Sequence, residues 1–285
     1  MILSFHPCFD ADIHIILGSR QLGLKDLELI RQAEAIILPQ GCPENLYRTC
    51  SDTKAHIFPS YEMRFRYPGK TGQSIMFENF GFPHPKTLRF RSAAEFKERH
   101  SIPETFLHNL PFFIKTDKAH EAEGVFLVEG EDSLSDALDH LSRCEKRGQG
   151  NFVTQDFIDS GGNVLRAVIM GKRIITYWKL PAKPGQLITT ISRGAIIDHH
   201  RQPQLQKKGK ELARILSEKA GINLAAIDFV FQMSKEDPTP FFLEINYFFG
   251  RRGLGGMEKY YQMLYGAIEN WLEENKLSRK SVRLL

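Results

Sequence analysis

Two strongly apolar runs in the C-terminal third carry three oxygen-bearing side chains that a core would not choose. Ala226-Ile227-Asp228-Phe229-Val230-Phe231 and Phe241-Phe242-Leu243-Glu244-Ile245-Asn246 flank a polar, proline-containing loop from Met233 to Pro240. β-prone runs on either side of such a loop read as a hairpin. Side chains alternate across a strand, so Glu244 and Asn246 share a face, and a symmetric hairpin brings Asp228 opposite Glu244. Two carboxylates and an amide on one face form a hard-oxygen site for Mg²⁺, whose usual task is to hold nucleotide phosphates. The plainer reading makes Asp228 and Glu244 half-exposed residues of an edge strand. Both acids together with Asn246 on apolar strands favour the metal.

Other residues upstream suit the same chemistry. Lys115 ends the apolar run Phe112-Phe113-Ile114 ahead of Gly124, where a lysine can reach a nucleotide as a point charge for phosphate. A lone lysine is otherwise a surface residue. The run Phe152-Val153-Thr154-Gln155-Asp156-Phe157-Ile158 leads to a Ser160-Gly161-Gly162 turn. Its extended backbone can offer N–H and C=O groups to an adenine ring while apolar side chains wall the pocket, although any interior strand looks similar. Arg166, Lys179 and Arg193 precede the acid hairpin and can neutralise charge on a transferring phosphoryl group. Taken singly, each also reads as a solvated strand-edge charge. His199-His200-Arg201 lacks a third ligand nearby and is assigned to the surface or the rim of an acceptor site.

The elements that must position these groups follow from periodicity and punctuation. Ile13 to Gly18 reads as a buried strand, Leu24, Leu27, Ile30 and Ala33 as a helix, and Ala35 to Pro39 as a second strand, with Pro43 opening a further helix. This β-α-β start predicts a small parallel sheet covered by helices. The stretch from His56 to Gly72 is irregular and reads as a connecting surface segment. A strand over 86–90, a helix opened by the capping box Ser92-Ala93-Ala94-Glu95, strands over 112–115 and 124–128, and a helix capped by Ser133 and stopped near Gly148 form a second α+β lobe. Strands over 164–170 and 173–178 turn about Gly171-Lys172, and a helix over 205–220 ends at Gly221. The last helix shows Met257, Tyr261, Leu264, Ile268 and Leu272 as one apolar stripe, read as core packing. The expected division is 1–84, an N-terminal α/β lobe; 85–151, a small lobe; and 152–285, a large lobe with the acid hairpin and a final helix.

At 285 residues the chain can bury a sizeable core, and 42% hydrophobic with 25% charged residues is ordinary for a soluble globular protein. A net charge of +4 suits an anionic small molecule and is too weak to argue for nucleic acid by itself; nucleic acid is an unexpected partner because the basic residues form no aromatic-interleaved face. The basic run from Lys276 to Arg283 reads as a solvated end. Cys8, Cys42, Cys50 and Cys144 contain no CxxC pair, so neither a zinc site nor a disulfide framework is expected. Met1 to Leu17 lacks a basic region and carries Asp10 and Asp12, unlike a signal peptide, and no apolar run approaches membrane-spanning length. A cytoplasmic protein is expected.

The order of these signals resembles the ATP-grasp superfamily, most closely its glutathione-synthetase and ribosomal-protein glutamate-ligase (RimK-like) branch. The resemblance covers about Lys70 to Gly256. Lys70 to Thr87 is similar to the family's opening helix, and Gly81-Phe82-Pro83-His84-Pro85-Lys86-Thr87 matches its Gly-Ile-Pro-Val-Pro-Lys-Thr type of segment. Glu244-Ile245-Asn246 stands where the family has Glu-Val-Asn or Glu-Ile-Asn. The phosphate-covering loop departs from the pattern: between Lys115 and Val125 only Gly124 of its glycines remains, and Glu121 and Glu123 bring repulsive charge that Lys118 and His120 offset. Val164 replaces the family's Asp before Arg166, and Tyr247-Phe248-Phe249-Gly250 replaces its Pro-Gly.

The resemblance implies an ATP-grasp fold of α+β lobes with a small N-terminal parallel-sheet lobe. It implies ATP held by Lys115, Lys118 and His120 at the phosphates and by Gln155, Asp156, Phe157 and Ile158 at adenine. It also implies Mg²⁺, one ion or two with Mn²⁺ able to substitute, on Asp228, Glu244 and Asn246. Arg166, Lys179 and Arg193 would act near the γ-phosphate and the acceptor carboxylate, joining a small-molecule carboxylate to an amine through an acyl-phosphate. A homodimer is compatible with this reading, as acceptor specificity is with the N-terminal lobe and Arg251 and Arg252. A kinase-like relative that phosphorylates a small acceptor and a non-catalytic nucleotide-binding module remain the alternatives.

Overall fold

The computed structural model describes residues 1–100, 107–118, 124–190, 194–233 and 236–285. Strands β1 (Ile2–Ser4), β2 (Phe9–Asp10), β3 (Ile13–His14), β4 (Ala35–Ile37) and β5 (His56–Phe58) alternate with helices α1 (Leu24–Gln32) and α2 (Glu44–Ser51). Four of these strands form the expected parallel sheet, in the order β3-β1-β4-β5. Its centre is not where the sequence placed it. The strand expected over 13–18 is a two-residue, half-buried edge, while Ile2–Ser4, too short to show a period, is fully buried in the middle. The segment read as surface connection holds β5, α3 (Glu62–Arg66) and the start of α4 (Gly69–Phe80). Tyr61 within it is completely buried, because its hydroxyl donates to the carbonyls of Pro39 and Gln40 at 3.3 and 3.1 Å while its ring fills the core.

The next unit is an antiparallel sheet in the order β6-β9-β7-β8, from β6 (Thr87–Phe90), β7 (Phe112–Thr116), β8 (Val125–Val128) and β9 (Phe152–Asp156). Helices α5 (Ala93–His100) and α6 (Glu131–Glu145) cover it over a core of its own, which includes Phe90, Phe96, Phe112, Leu141 and Phe152. Ser92 caps α5 as expected, accepting from the Glu95 N–H at 3.1 Å, while Glu95 accepts from the Arg91 N–H at 2.8 Å. Ser133 is one turn further in than expected. Helix α6 starts at Glu131, and the Ser133 hydroxyl reaches back to the N–H groups of Glu129 and Gly130.

The third unit is an antiparallel sheet in the order β12-β11-β10-β13-β14, built from β10 (Val164–Met170), β11 (Arg173–Leu180), β12 (Ile196–Asp198), β13 (Leu224–Phe231) and β14 (Pro240–Asn246). Helix α7 (Pro203–Ala220) packs on the face carrying Leu165, Ala167, Ile169 and Phe229; α8 (Met257–Glu274) packs on the one carrying Val168, Met170 and Ala226. The apolar stripe of α8 is rotated from its expected line. Met257 is 60% exposed, and Tyr260, Leu264, Ala267, Ile268 and Leu272 are buried. A final strand, β15 (Arg283–Leu284), pairs with β2, so the basic tail is anchored where a solvated end was expected. The parallel sheet shares both large cores with this third unit, whereas the small antiparallel sheet keeps a separate one. All four cysteines are free, and burial pushes the Cys42 and Cys50 thiols up to about 12, leaving them protonated and inert. Among the described residues no helix is long and apolar enough to cross a membrane.

Candidate active site

Pairing across β11, β10, β13 and β14 lines up Tyr177, Arg166, Asp228 and Glu244 in one row. The last step of that row depends on an irregularity. From Phe231↔Pro240 to Phe229↔Phe242 the hairpin is regular, and continuing it would set Asp228 against Leu243. A β-bulge between Asp228 and Phe229 sets it against Glu244 instead. Leu243 and Glu244 therefore both line the same cleft, which the ordinary pleat forbids for consecutive residues.

Asp228 is almost fully buried and meets two cations. Arg166 donates to both of its oxygens, Nε to Oδ1 at 2.8 Å and Nη2 to Oδ2 at 2.7 Å, and Lys179 donates from Nζ to Oδ2 at 2.9 Å. Burial by itself would raise the Asp228 carboxyl; the charges of Arg166 and Lys179 outweigh it and hold the group far below the usual carboxylate range. Lys179, also buried, is lowered by desolvation against the pull of Asp228. Asn246 closes the group, its Nδ2 donating to Glu244 Oε1 at 2.9 Å and lying 3.4 Å from Asp228 Oδ2.

Facing this row is the inner surface of the small sheet. Lys115 on β7 is buried and donates from Nζ to Gln155 Oε1 at 2.6 Å, and Gln155 donates in turn to Thr87 Oγ1 at 3.0 Å. Burial brings the Lys115 ammonium down to about 8, with Glu244 opposing the shift and Lys70 adding to it. Lys70 stands in the first turn of α4 and is lowered by burial, with Glu244 and Asp117 opposing. Helix α4 is fixed at both sides of the cleft. At its start the Thr71 N–H donates to Asp117 Oδ1 at 2.7 Å, and the Gln73 amide exchanges two 2.8 Å bonds with the Ile245 backbone on β14. The cleft between the two sheets is lined by Lys70, Gln73, Thr87, Lys115, Gln155, Leu243 and Glu244, among others.

The donor set fits a divalent cation. Among the described residues no three His, Cys, Asp or Glu side chains are grouped to hold a metal, so an ion there would rely on two acids and an amide. Asp228 Oδ1 accepts a single hydrogen bond and keeps a lone pair; Glu244 Oε2 and the Asn246 carbonyl oxygen have no partner among the described residues. These are hard oxygens on side chains already in mutual contact, as Mg²⁺ prefers.

The structure thus joins Asp228, Glu244 and Asn246 and adds Arg166 and Lys179 to them, while Lys115 and Gln155 form a pair across the cleft. Gln155, expected at adenine, lines the cleft, and its side-chain oxygen accepts from Lys115. Beyond it, Asp156 is half-exposed and pairs with His108, Phe157 packs 5.8 Å from Phe113, and Ile158 is half-buried. Lys118 is exposed, and His120 and Arg193 lie outside the described residues.

A family model described as the RimK-like ATP-grasp domain matches residues 83–263. The chain belongs to the RimK-like ATP-grasp family. The matched segment of this RimK-like chain holds every grouped site residue except those on α4, Lys70 and Gln73 among them, which precede it. A probable alpha-L-glutamate ligase of Alkalilimnicola ehrlichii is 27% identical over 175 residues, covering 60% of this chain and 53% of that protein. Another of the same description from Azotobacter vinelandii is 24% identical over 168 residues, covering 58% and 51%. The chain spans about half the length of these curated relatives. Among solved structures, a RimK-domain ATP-grasp protein from Sphaerobacter thermophilus aligns with a TM-score of 0.57 at 15% identity, covering 92% of this chain and 97% of that one. The ADP complex of an N5-carboxyaminoimidazole ribonucleotide synthetase aligns with a TM-score of 0.59 at 12% identity, covering 85% and 60%. At such identities these likenesses speak for the fold.

Sequence reasoning passed over Lys70 as a site residue, although a signal was present. A lysine in the first turn of a helix opposes the macrodipole, so a structural role there is disfavoured. Gln73 and Tyr177 carried no comparable mark, since their places depend on pairing between distant segments.

Proposed function

We propose that this chain is an ATP- and Mg²⁺-dependent carboxylate–amine ligase acting through an acyl-phosphate. The observation that carries this reading is the row Arg166–Asp228–Glu244, extended by Lys179 and Asn246, whose Glu244 lines one cleft with Lys115 and Lys70. Four basic side chains around two acids make a pocket suited to a polyphosphate, and Glu244 acts electrostatically on all four. ATP is the substrate assigned to this cleft between the lobes that end and begin near 151 and 152, with its adenine toward Asp156, Phe157 and Ile158. Lys115 and Lys70 would anchor its phosphates as point charges. Glu244, Asn246 and Asp228 Oδ1 would hold Mg²⁺, which when bound neutralises phosphate charge.

Arg166 and Lys179, held in place by Asp228, line the end of the row where a second substrate would meet the γ-phosphate. There the substrate carboxylate attacks phosphorus, the bond to the β-phosphate oxygen breaks and ADP leaves. An amine then attacks the acyl carbon, expels phosphate and gives up its proton. Positioning and charge neutralisation suffice, and no side-chain nucleophile is required. The names of the curated relatives support L-glutamate as one of the substrates.

The test is release of ADP and phosphate from MgATP across a panel of amino acids and short peptides. Amine-dependent turnover is expected, and Glu244→Gln should lower it by about 10²-fold or more while leaving the unfolding midpoint nearly unchanged. An unchanged rate in that variant refutes the assignment of Glu244. A stable phosphoester formed without any amine would replace the ligase by a kinase.

A further inference from the structure

Helix α4 begins without a cap of its own. Pro68 stands at its N-cap and offers no side-chain acceptor, and no acid stands in its first turn. That turn carries Lys70 instead, a cation at the end of the helix dipole that disfavours one. The missing acceptor comes from 46 residues away. Asp117, which directly follows β7, accepts the Thr71 N–H on Oδ1 at 2.7 Å, the bond an ordinary N-cap side chain would accept. Its backbone carbonyl accepts the Lys70 N–H at 3.2 Å, so two N–H groups that the helix leaves open are satisfied by one residue of another unit.

The approach is close. Gly69 has a φ of +67°, and a Cβ there would come within 2.4 Å of Asp117 Oδ2, so glycine is what admits the carboxylate to the helix end. Asp117 is itself held, its N–H donating to the Asn151 carbonyl at 3.1 Å. The two lysines of the cleft thus share one anchor. Lys115 stands two residues before Asp117 on the same run of chain, and Lys70 stands on the turn that Asp117 caps. Both line the cleft with Glu244. Glu244 and Asp117 together oppose the lowering of the Lys70 ammonium by burial.

A carboxylate this near a phosphate site would by charge alone repel the ligand. Its bonds to α4 give it the opposite effect. We propose that Asp117 is a positioning residue for nucleotide binding: by capping α4 from the end of β7 it sets Lys70 at the spacing from Lys115 that a phosphate chain requires. The proposal rests on the ligase reading for the identity of the ligand, MgATP. Asp117 touches no phosphate and acts through Lys70. The far side of the same helix is tied to β14 by the paired bonds of Gln73 to the Ile245 backbone, so α4 cannot drift to compensate when the cap is lost.

Calorimetric titration of the full chain with MgADP tests the assignment by its sign. Repulsion alone predicts that Asp117→Ala tightens binding; capping predicts that it weakens binding about tenfold, or 1.4 kcal/mol. Asp117→Asn keeps an oxygen for the Thr71 N–H without the charge and should bind at least as tightly as wild type. In a Lys70→Met background Asp117→Ala should cause no further loss, because residues that act through one another are not additive. In a Lys115→Met background the full loss should remain. Should Asp117→Ala fail to fold, Gly69→Ala forces the carboxylate away and is expected to give the same loss. Unchanged or tighter binding in Asp117→Ala overturns the proposal. So does a loss that Asp117→Asn shares, that adds to Lys70→Met, or that vanishes with Lys115 instead. Wild-type protein that binds no MgADP overturns both this proposal and the ligase reading. Coupling of Asp117 to Lys70 in a protein without amine-dependent turnover would sink the ligase alone and leave the positioning role standing.

Discussion

In the five-stranded sheet Asp228 meets two cations at hydrogen-bond distance, so every charge in that cluster has a partner. In the four-stranded sheet the buried ammonium of Lys115 meets, among the described residues, the neutral amide of Gln155 and the Phe113 ring 5.2 Å away, with Glu244 acting from across the cleft. The first arrangement is balanced internally, with a lone pair left on Asp228 Oδ1, and holds a surface in shape. The second is incomplete, and its lowered lysine would gain from an anion arriving between the sheets. Buried charge can serve either rigidity or reception, and the partner's own charge decides which.

The comparison breaks most visibly at Asp228. Asp228→Asn leaves Arg166 and Lys179 buried without a counter-charge and should cost about 3–5 kcal/mol in urea unfolding. Lys115→Met should behave in the opposite way. It removes a desolvated charge and should change stability by about 1 kcal/mol or less, yet weaken MgADP binding about tenfold by calorimetry. Equal stability losses in the two variants would erase the distinction drawn between the sheets.

Titration sharpens it further. The Asp228 carboxyl titrates lower when folded than when unfolded, so its contribution is complete above the usual carboxylate range and is lost as pH falls through the folded value. Lys115 is also lowered, from 10.5 to about 8, so the unfolded chain holds the extra proton between those values and stability rises with pH across that window. MgADP affinity should fall above about pH 8 as the free lysine deprotonates. Lys115→Met should show neither the alkaline rise in stability nor the fall in affinity. The smallest effect is expected at Gln73→Leu, which removes two bonds to the Ile245 backbone and should cost about 1 kcal/mol in urea unfolding, with turnover lowered because β14 carries Glu244.

The acid hairpin was legible because its strands are long, β-prone and interrupted by side chains with no place in a core. The parallel sheet was legible as a class but not in its centre, since Ile2–Ser4 is too short to display a period. Arg166 and Lys179 were legible as cations, whereas their union with Asp228 arises from pairing of β10 with β13 and β11, which no local pattern records. Gln155 was legible as a cleft-lining residue, whereas the pairing of its amide with the buried Lys115 ammonium comes from the neighbouring strand and left no local mark. The capping serine of α6 and the stripe of α8 were misplaced by a turn or less, where neighbouring positions offer nearly equal local chemistry.

The extra residue beside Asp228 makes strand length, more than composition, the quantity on which this hairpin depends. Exchanging Leu243 for another apolar side chain keeps the count between Phe242 and Asn246 and so keeps both oxygen donors aimed inward. Adding one residue to that interval would turn the amide or the acid toward the opposite helix layer. Variation in this family of shapes should therefore accumulate here as substitutions and almost never as gaps.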